Sequence, residues 1–344
     1  MHKATFFAGT LSFTIVPHGP ILVKAGESSG ADPTLPDMRF VRSQGKIYIP
    51  GPSLKGVVRA QAERICRSLD SELLQQQKQH VREEAFGKNE PLIPLADNPL
   101  GKGTEYQGLA DISYSSGRAI EEIKRDSTTD YTATVYRRSS FVSQIFGHTS
   151  LAGRVRFADA YDKDFKMEYI EERNGVAIDR VYGSAIRGGL FNYEVVVGGS
   201  FRSQIHFENL TLAQLGLLGL ALRDVADGRV GIGFGKSRGL GQVSVTFESM
   251  ELRYPTCELQ EQHLKLLNGQ TICTEHEFAG LGAFCASEAY RSYALPKEDL
   301  APLPEKIKYQ NDMFLGVQLT ALGDAQVRNM WRACMPAWKR ELGL

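Results

Sequence analysis

Apolar and polar side chains alternate along residues 5–16, and Pro17-His18-Gly19-Pro20 closes the run. This period of two predicts a half-buried strand and a turn, with extended chain resuming over 21–24. Residues 39–42 and 46–49 read as a short ribbon around Gln44-Gly45. The period then changes. After Pro52-Ser53, which offers an N-terminal cap, Leu54, Val57, Val58, Ala62 and Ile65 recur at helical spacing. They predict a helix to about Leu69 with a polar, Gln-rich continuation toward Glu84. Regular structure returns at 141–146, and 153–159 and 201–207 alternate as strands. Residues 210–226 form a strongly apolar helix opened by Thr211-Leu-Ala-Gln, and 242–252 alternate once more.

The stretches between are aperiodic. Residues 96–140 are Gly-rich, then Ser/Thr-rich, with seven acidic and six basic side chains. They read as a mobile insertion holding one short helix over 119–124. Residues 172–192 are a polar, Gly-containing excursion, and Gly231–Gly241 is a glycine-rich loop. Beyond 252 lies a C-terminal extension, in which Pro-rich 295–304 reads as a linker. A strand over 314–319 and a helix over 323–335 would form a second strand–helix unit. Its Leu322-Gly-Asp-Ala-Gln-Val loosely echoes Leu210-Thr-Leu-Ala-Gln-Leu, which leaves a duplicated half-domain open. The division expected is therefore a core of 1–95 and 141–252, an insertion of 96–140 and an extension of 253–344.

Composition narrows the classes. Forty Lys+Arg balance forty Asp+Glu in 344 residues, which excludes a polycation but leaves room for local basic patches. No apolar run approaches the ~20 residues of a membrane span. Met1-His2-Lys3-Ala4-Thr5-Phe6-Phe7 leads straight into a strand pattern rather than a signal peptide. Five cysteines, an odd number, give no disulfide framework and read as free thiols in a reducing cytoplasm. Glycine, 34 residues, is clustered rather than periodic.

Four constellations could carry chemistry. Ile49-Pro-Gly-Pro-Ser-Leu-Lys-Gly-Val-Val-Arg59 places a tight turn, helix-start N–H groups, Ser53, Gly56 and the cations Lys55 and Arg59 together. That suits an anionic backbone, or equally a strand–helix junction with solvated cations. In Gly231–Gly241, glycines let the chain lie close to a phosphate, and Lys236 and Arg238 add charge. A nucleotide-binding P-loop is excluded, because the required first glycine is Val230 and the loop leads into a strand. Asp32 and Asp37 could hold a divalent ion or act as bases, or could simply form turns beside proline. Cys257, His263, Cys273, His276 and Cys285 lack a paired Cys-x-x-Cys, so core thiols are favoured over zinc.

Together these segments resemble the RAMP superfamily of CRISPR systems, especially the repeated backbone subunit of type III effector complexes. Ile49–Arg59 is similar to its Ile-Pro-Gly-Ser-Ser-Leu-Lys-Gly-x-x-Arg segment, with Pro52 in place of the first Ser. Ile145-Phe-Gly147 and Gly153-Arg-Val-Arg-Phe-Ala-Asp159 resemble its Leu-Phe-Gly and Gly-x-Leu-x-Phe-x-Asp stretch. Ala177-Ile-Asp-Arg180 with Phe191 and Glu194 resembles its thumb hairpin, and Gly231–Gly241 its C-terminal Gly-rich loop. The likeness covers about residues 5–250; the insertion and tail fall outside it, as in a III-D-like variant.

The resemblance implies an α+β, RRM-like (ferredoxin-like) core in a subunit that polymerises along a guide RNA. It implies RNA contacts at Ser53, Lys55, Gly56, Arg59, Arg180, Gly233, Gly235, Lys236, Ser237 and Arg238. It also implies cleavage of target RNA by an aspartate in the loop before Ile-Pro-Gly, with a divalent ion, Mg2+ or Mn2+. Asp37 matches that position best, and Asp32 is the fallback. The implied partners are guide RNA, complementary target RNA and other effector subunits, including related backbone copies. A purely structural or capping RNA-binding subunit, and a guide-processing RNase of the same superfamily, remain the alternatives.

Overall fold

The alternation over 5–16 becomes β1 (Ala8–Pro17), whose inward residues Leu11, Phe13 and Ile15 are buried. The computed structural model describes residues 4–26, 36–87, 90–123, 131–285, 291–312 and 316–343. The ribbon around Gln44-Gly45 is β2 (Arg42–Ser43) and β3 (Lys46–Ile49). It leads into α1 (Gly51–Leu69), then α2 (Glu72–Phe86), capped by the Ser71 hydroxyl. Short helices follow: α3 (Ser116–Glu121), α4 (Tyr131–Arg137) and α5 (Phe141–Phe146). Next come β4 (Val155–Phe157), β5 (Ala160–Tyr161) and a long hairpin of β6 (Ile170–Ile178) and β7 (Ala185–Val196). The core then continues through β8 (Phe201–Glu208), α6 (Leu212–Ala226) and β9 (Val243–Tyr254).

Strands β9, β1, β8 and β4 lie side by side, all antiparallel, with β1 in the middle. This is the fourth–first–third–second order of an RRM-like α+β core, in which helices cover one face. Thr211 and Gln214 form a full capping box at the start of α6. Both helix-start donors are thereby satisfied inside the core, where water could not reach them.

The extension joins this core. Strands β10 (Cys257–Gln260), β11 (His263–Leu266) and β12 (Thr271–Thr274) form a meander, and β13 (Glu277–Ala279) leads to α7 (Leu281–Phe284). The expected linker contains β14 (Leu300–Pro302), which pairs with β13. Strands β15 (Tyr309–Asp312) and β16 (Gly316–Leu322) continue the main sheet beyond β9, giving nine strands in all. The final helix α8 (Gly323–Glu341) passes through Pro336 rather than stopping at Met335. Its Trp331 ring packs edge-on against Phe247 of β9 at 4.7 Å and closely against Gly219 of α6. The tail thus widens the same sheet and helix layer, and one large cluster of buried residues reaches from Phe7 to Trp338.

The insertion is folded in rather than mobile over its described residues, 96–123 and 131–140. Buried Asp97 accepts hydrogen bonds from the Ser140 and Ser143 hydroxyls and the Ser116 N–H. Ile120, Ala133, Val135 and Tyr136 form a small second core with Leu151 and Tyr293. Hydroxyls that read as loop chemistry are internal partners of a buried carboxylate. The single helix expected over 119–124 is replaced by α3, slightly earlier, and α4. Among the described residues, no helix is long and apolar enough to cross a membrane.

Candidate nucleic-acid interface

The start of α1 differs from the expected row of free donors. Pro50 is the N-cap and supplies no side-chain acceptor. The Gly51 N–H donates to Asp159 Oδ1 at 2.8 Å, and the Ser53 and Leu54 N–H groups reach the Pro50 carbonyl. Pro52 has no N–H, so the first turn has none left for a phosphate. Asp159, over a hundred residues away in sequence, occupies the position an anion would take. The only sequence signal was negative: no Ser, Thr, Asp or Asn stands at position 50.

Arg59 is also committed internally. Its guanidinium donates to Glu63 at 2.9 Å, the Gly147 carbonyl at 2.8 Å and the Ser143 hydroxyl at 3.2 Å. It therefore ties α1 to α5. Lys55 enters no ion pair among the described residues. Burial, and then the neighbouring Arg59 charge, lower its pKa. Gly56 is exposed, with open space where a side chain would stand.

The glycine-rich loop is an exposed single turn, Lys236–Arg238, held between left-handed Gly235 and Gly239. Its stem is anchored by the Phe234 N–H on the Leu22 carbonyl (2.7 Å) and the Gly241 N–H on the Pro20 carbonyl (2.8 Å). Gly233 has φ +86°, and a Cβ there would lie 2.2 Å from the Leu22 oxygen. The sequence places glycine where neither the backbone angle nor the space admits anything larger. Lys236, Ser237 and Arg238 all face outward. Burial, and then Arg64 of α1, lower the Lys236 pKa.

The β6–β7 hairpin brings the remaining segments here. Arg238 lies over the Phe191 ring of β7, with its guanidinium carbon 5.6 Å from the centroid. One residue on, the Asn192 N–H donates to Asp37 Oδ2 at 3.0 Å, and the Asp37 N–H donates to Asn192 Oδ1 at 2.9 Å. The Asn192 amide also donates to Glu172 at 2.8 Å. Asp37 is exposed, and among the described residues its Oδ1 has no donor. Glu194, buried nearby, pairs with Arg42 at 2.6 Å. Arg180 sits in the distal turn, where Asp179 accepts the Val181 and Tyr182 N–H groups. Five strand residues separate it from the level of Phe191, roughly 17 Å.

The structure thus gathers Lys236, Ser237, Arg238 and Asp37 at the base of one hairpin, with Arg180 at its tip and Lys55 at the α1 start. Asp32 lies outside the described residues. Asn192 and Glu172 were missed, because nothing in the sequence links them to position 37. Among the described residues no three His, Cys, Asp or Glu side chains form a metal-binding group. A hard divalent ion is often held by one carboxylate, water and substrate phosphates, and Asp37 Oδ1 fits that partial role. All five cysteines are free and buried. Burial pushes the thiols of Cys257 and Cys285 up to about 12 and that of Cys273 to about 11, away from the thiolate zinc requires.

A search of curated proteins finds no match to the chain. Its residues 14–244 match the family model of the RAMP superfamily. That span runs from β1 through the hairpin and the glycine-rich loop into β9, two-thirds of the protein and nearly all of the RRM-like core. The segments that build the surface all lie within that span, and the chain belongs to the RAMP superfamily.

Proposed function

We propose that this chain is a guide-RNA-binding backbone subunit of a type III CRISPR ribonucleoprotein and that Asp37 serves cleavage of the paired target RNA. Membership of the superfamily suggests the CRISPR-associated RNA-binding role. One observation carries the finer reading. The exposed Lys236–Arg238 turn and Asp37 meet at the base of the same protruding hairpin. The hairpin exposes Val176, Ile178, Val181, Tyr182, Ile186 and Leu190, far more apolar surface than a two-stranded ribbon keeps without a partner. Backbone and cations grip the guide without reading bases, and pairing supplies specificity.

In this reading the ribose 2′-hydroxyl attacks the adjacent phosphate, forming a 2′,3′-cyclic phosphate as the bond to the next nucleotide's 5′-oxygen breaks and that oxygen takes a proton from water. The Asp37 carboxylate, oriented by Asn192, accepts the hydroxyl proton through Oδ1. Where Oδ1 instead holds a divalent ion, that ion would neutralise charge on the phosphate. The rival reading is a structural subunit without catalysis.

The test separates the two. Lys236→Ala with Arg238→Ala should lower the salt dependence of guide binding by roughly 0.7 in slope per lost phosphate contact. An unchanged slope removes the RNA from this loop. Asp37→Ala and Asp37→Asn should both keep guide binding and lose target cleavage. Cleavage that persists in both, with binding intact, leaves the structural reading.

A further inference from the structure

A cavity of about 350 Å³ opens where α2, the end of α4, α5 and the last turn of α8 meet, and it shares no residue with the hairpin surface. Among the described residues its wall carries Lys78, Arg82, Arg137 and Arg340 against a single carboxylate, Glu341. Lys78 and Glu341 pair with each other. Behind the wall, Arg137 and Arg138 share one oxygen of buried Glu90, at 3.3 and 3.0 Å. Arg82 reaches only the Pro91 carbonyl, at 3.0 Å. Three guanidinium groups thus have one carboxylate among the described residues.

The imbalance is visible atom by atom. The Nε atoms of Arg82, Arg137 and Arg138 are buried without an acceptor. The Arg137 side chain is only 8% exposed, and its guanidinium is fixed over the Phe86 ring at 4.0 Å. Burial, with the charges of Arg137 and Arg138, lowers the Arg82 pKa despite Glu90. Cations held out of water without matching anions are costly, and an anionic ligand offsets that cost. Phe141 and Tyr293 add aromatic rings to the same lining. Its volume lies at the small end of the range for ligand pockets, enough for one nucleotide and too little for a strand.

We propose that this cavity binds a single phosphomonoester borne on a flat ring, a mononucleotide, with its phosphate on Arg82 and Arg137 and its base against Phe141 and Tyr293. The ligand is either a free nucleotide or the phosphorylated end of an RNA strand. Phe141 packs against Trp338, with centroids 5.4 Å apart and the rings tilted by 37°, so Trp fluorescence gives a local readout.

The full chain, freed of nucleic acid, is titrated with AMP, GMP, CMP, UMP and adenosine by calorimetry and by Trp emission. At least one nucleotide should saturate a single site, and adenosine should bind at least about tenfold more weakly than AMP. Two variants keep the test independent of folding. Arg82→Met removes the cation, while Val81→Trp, from an exposed position at the rim, fills the cavity and deletes no internal bond. Both should weaken nucleotide binding at least about tenfold while leaving the thermal midpoint within about 2 °C. A 5′-phosphorylated pentanucleotide that outcompetes its 5′-hydroxyl twin, only while Val81 is intact, identifies an RNA end. Equal competition by the two identifies a free nucleotide. The proposal is overturned if none of the four nucleotides saturates, or if both variants bind as the unaltered chain does.

Discussion

Gly233 and Gly239 have nearly the same backbone angle, φ +86° and +79°, yet alanine should affect them very differently. At Gly239 a Cβ meets nothing within 4 Å, so Gly239→Ala incurs only the left-handed strain of about 1–2 kcal/mol. At Gly233 the Cβ would lie 2.2 Å from the Leu22 carbonyl oxygen, which also accepts the Phe234 N–H. Backbone cannot rotate away as a side-chain tip can. Gly233→Ala must therefore push the stem off residues 20–24 and break that hydrogen bond, worth about 1 kcal/mol. Strain, lost bond and displacement together come to about 3–4 kcal/mol. For 344 residues unfolding together, the unfolding entropy is about 0.7 kcal/mol/K, so 1 kcal/mol moves the midpoint by about 1.4 °C. Calorimetry should show a fall of about 4–6 °C for Gly233→Ala and about 1.5–3 °C for Gly239→Ala. Guide binding should weaken more for the first, because the Lys236–Arg238 turn moves with its stem. Equal falls for the two variants would refute the contact with Leu22 on which the loop's position rests.

Arg59→Ala should destabilise by about 2–3 kcal/mol in urea, because it leaves Glu63 to Arg67 alone and strips the Gly147 carbonyl and Ser143. Lys55→Ala should stay within about 0.5 kcal/mol, and equal stability of the two variants would contradict Arg59 as a strut. Asp299 is buried and accepts the Leu212 and Gly282 N–H groups, with Arg340 and Glu341 acting on its charge. Burial outweighs those bonds and raises its pKa from 3.8 to about 6. The fold therefore binds this proton more tightly than the unfolded chain. This group's contribution should rise by about 2 kcal/mol as pH falls from 6.5 to about 4, and Asp299→Asn should remove that slope. Parallel pH profiles of the two proteins over that window would show that Asp299 does not titrate there.

Legibility followed locality. β1 was readable because its alternation is intrinsic to the strand, and α6 because Thr211 and Gln214 are three residues apart. The glycine-rich loop was readable because its composition suits nothing packed, whereas composition marked the hairpin only as a polar excursion and the family resemblance supplied its shape. What could not be read is what closes over distance. Asp159 caps α1 from β4–β5, and Asn192 holds Asp37 from the hairpin. The insertion misled because Ser116, Ser140 and Ser143 look like loop residues until Asp97 is placed among them. Pro336 marked no helix end, since α8 is held by its packing on α6 and β9 rather than by propensity.

These distant closures also redistribute the chemistry. A cation that an internal carboxylate already holds has fewer donors left for an RNA backbone, and on that criterion the basic residues around the hairpin and the α1 start divide. Arg59 is bound to Glu63, Arg42 to Glu194, and the α1 start to Asp159. Lys55, Lys236 and Arg238 enter no ion pair among the described residues, and Arg238 rests instead on the face of Phe191. A cation over a ring keeps its charge and its hydrogen-bond donors, which an ion pair would consume. The motif that draws attention in the sequence, Ile49–Arg59, is thus mainly a joint between α1, α5 and β4. The capacity to hold an RNA backbone is concentrated where the glycine-rich turn leans on the hairpin, beside Asp37, an exposed carboxylate that Asn192 of the hairpin orients.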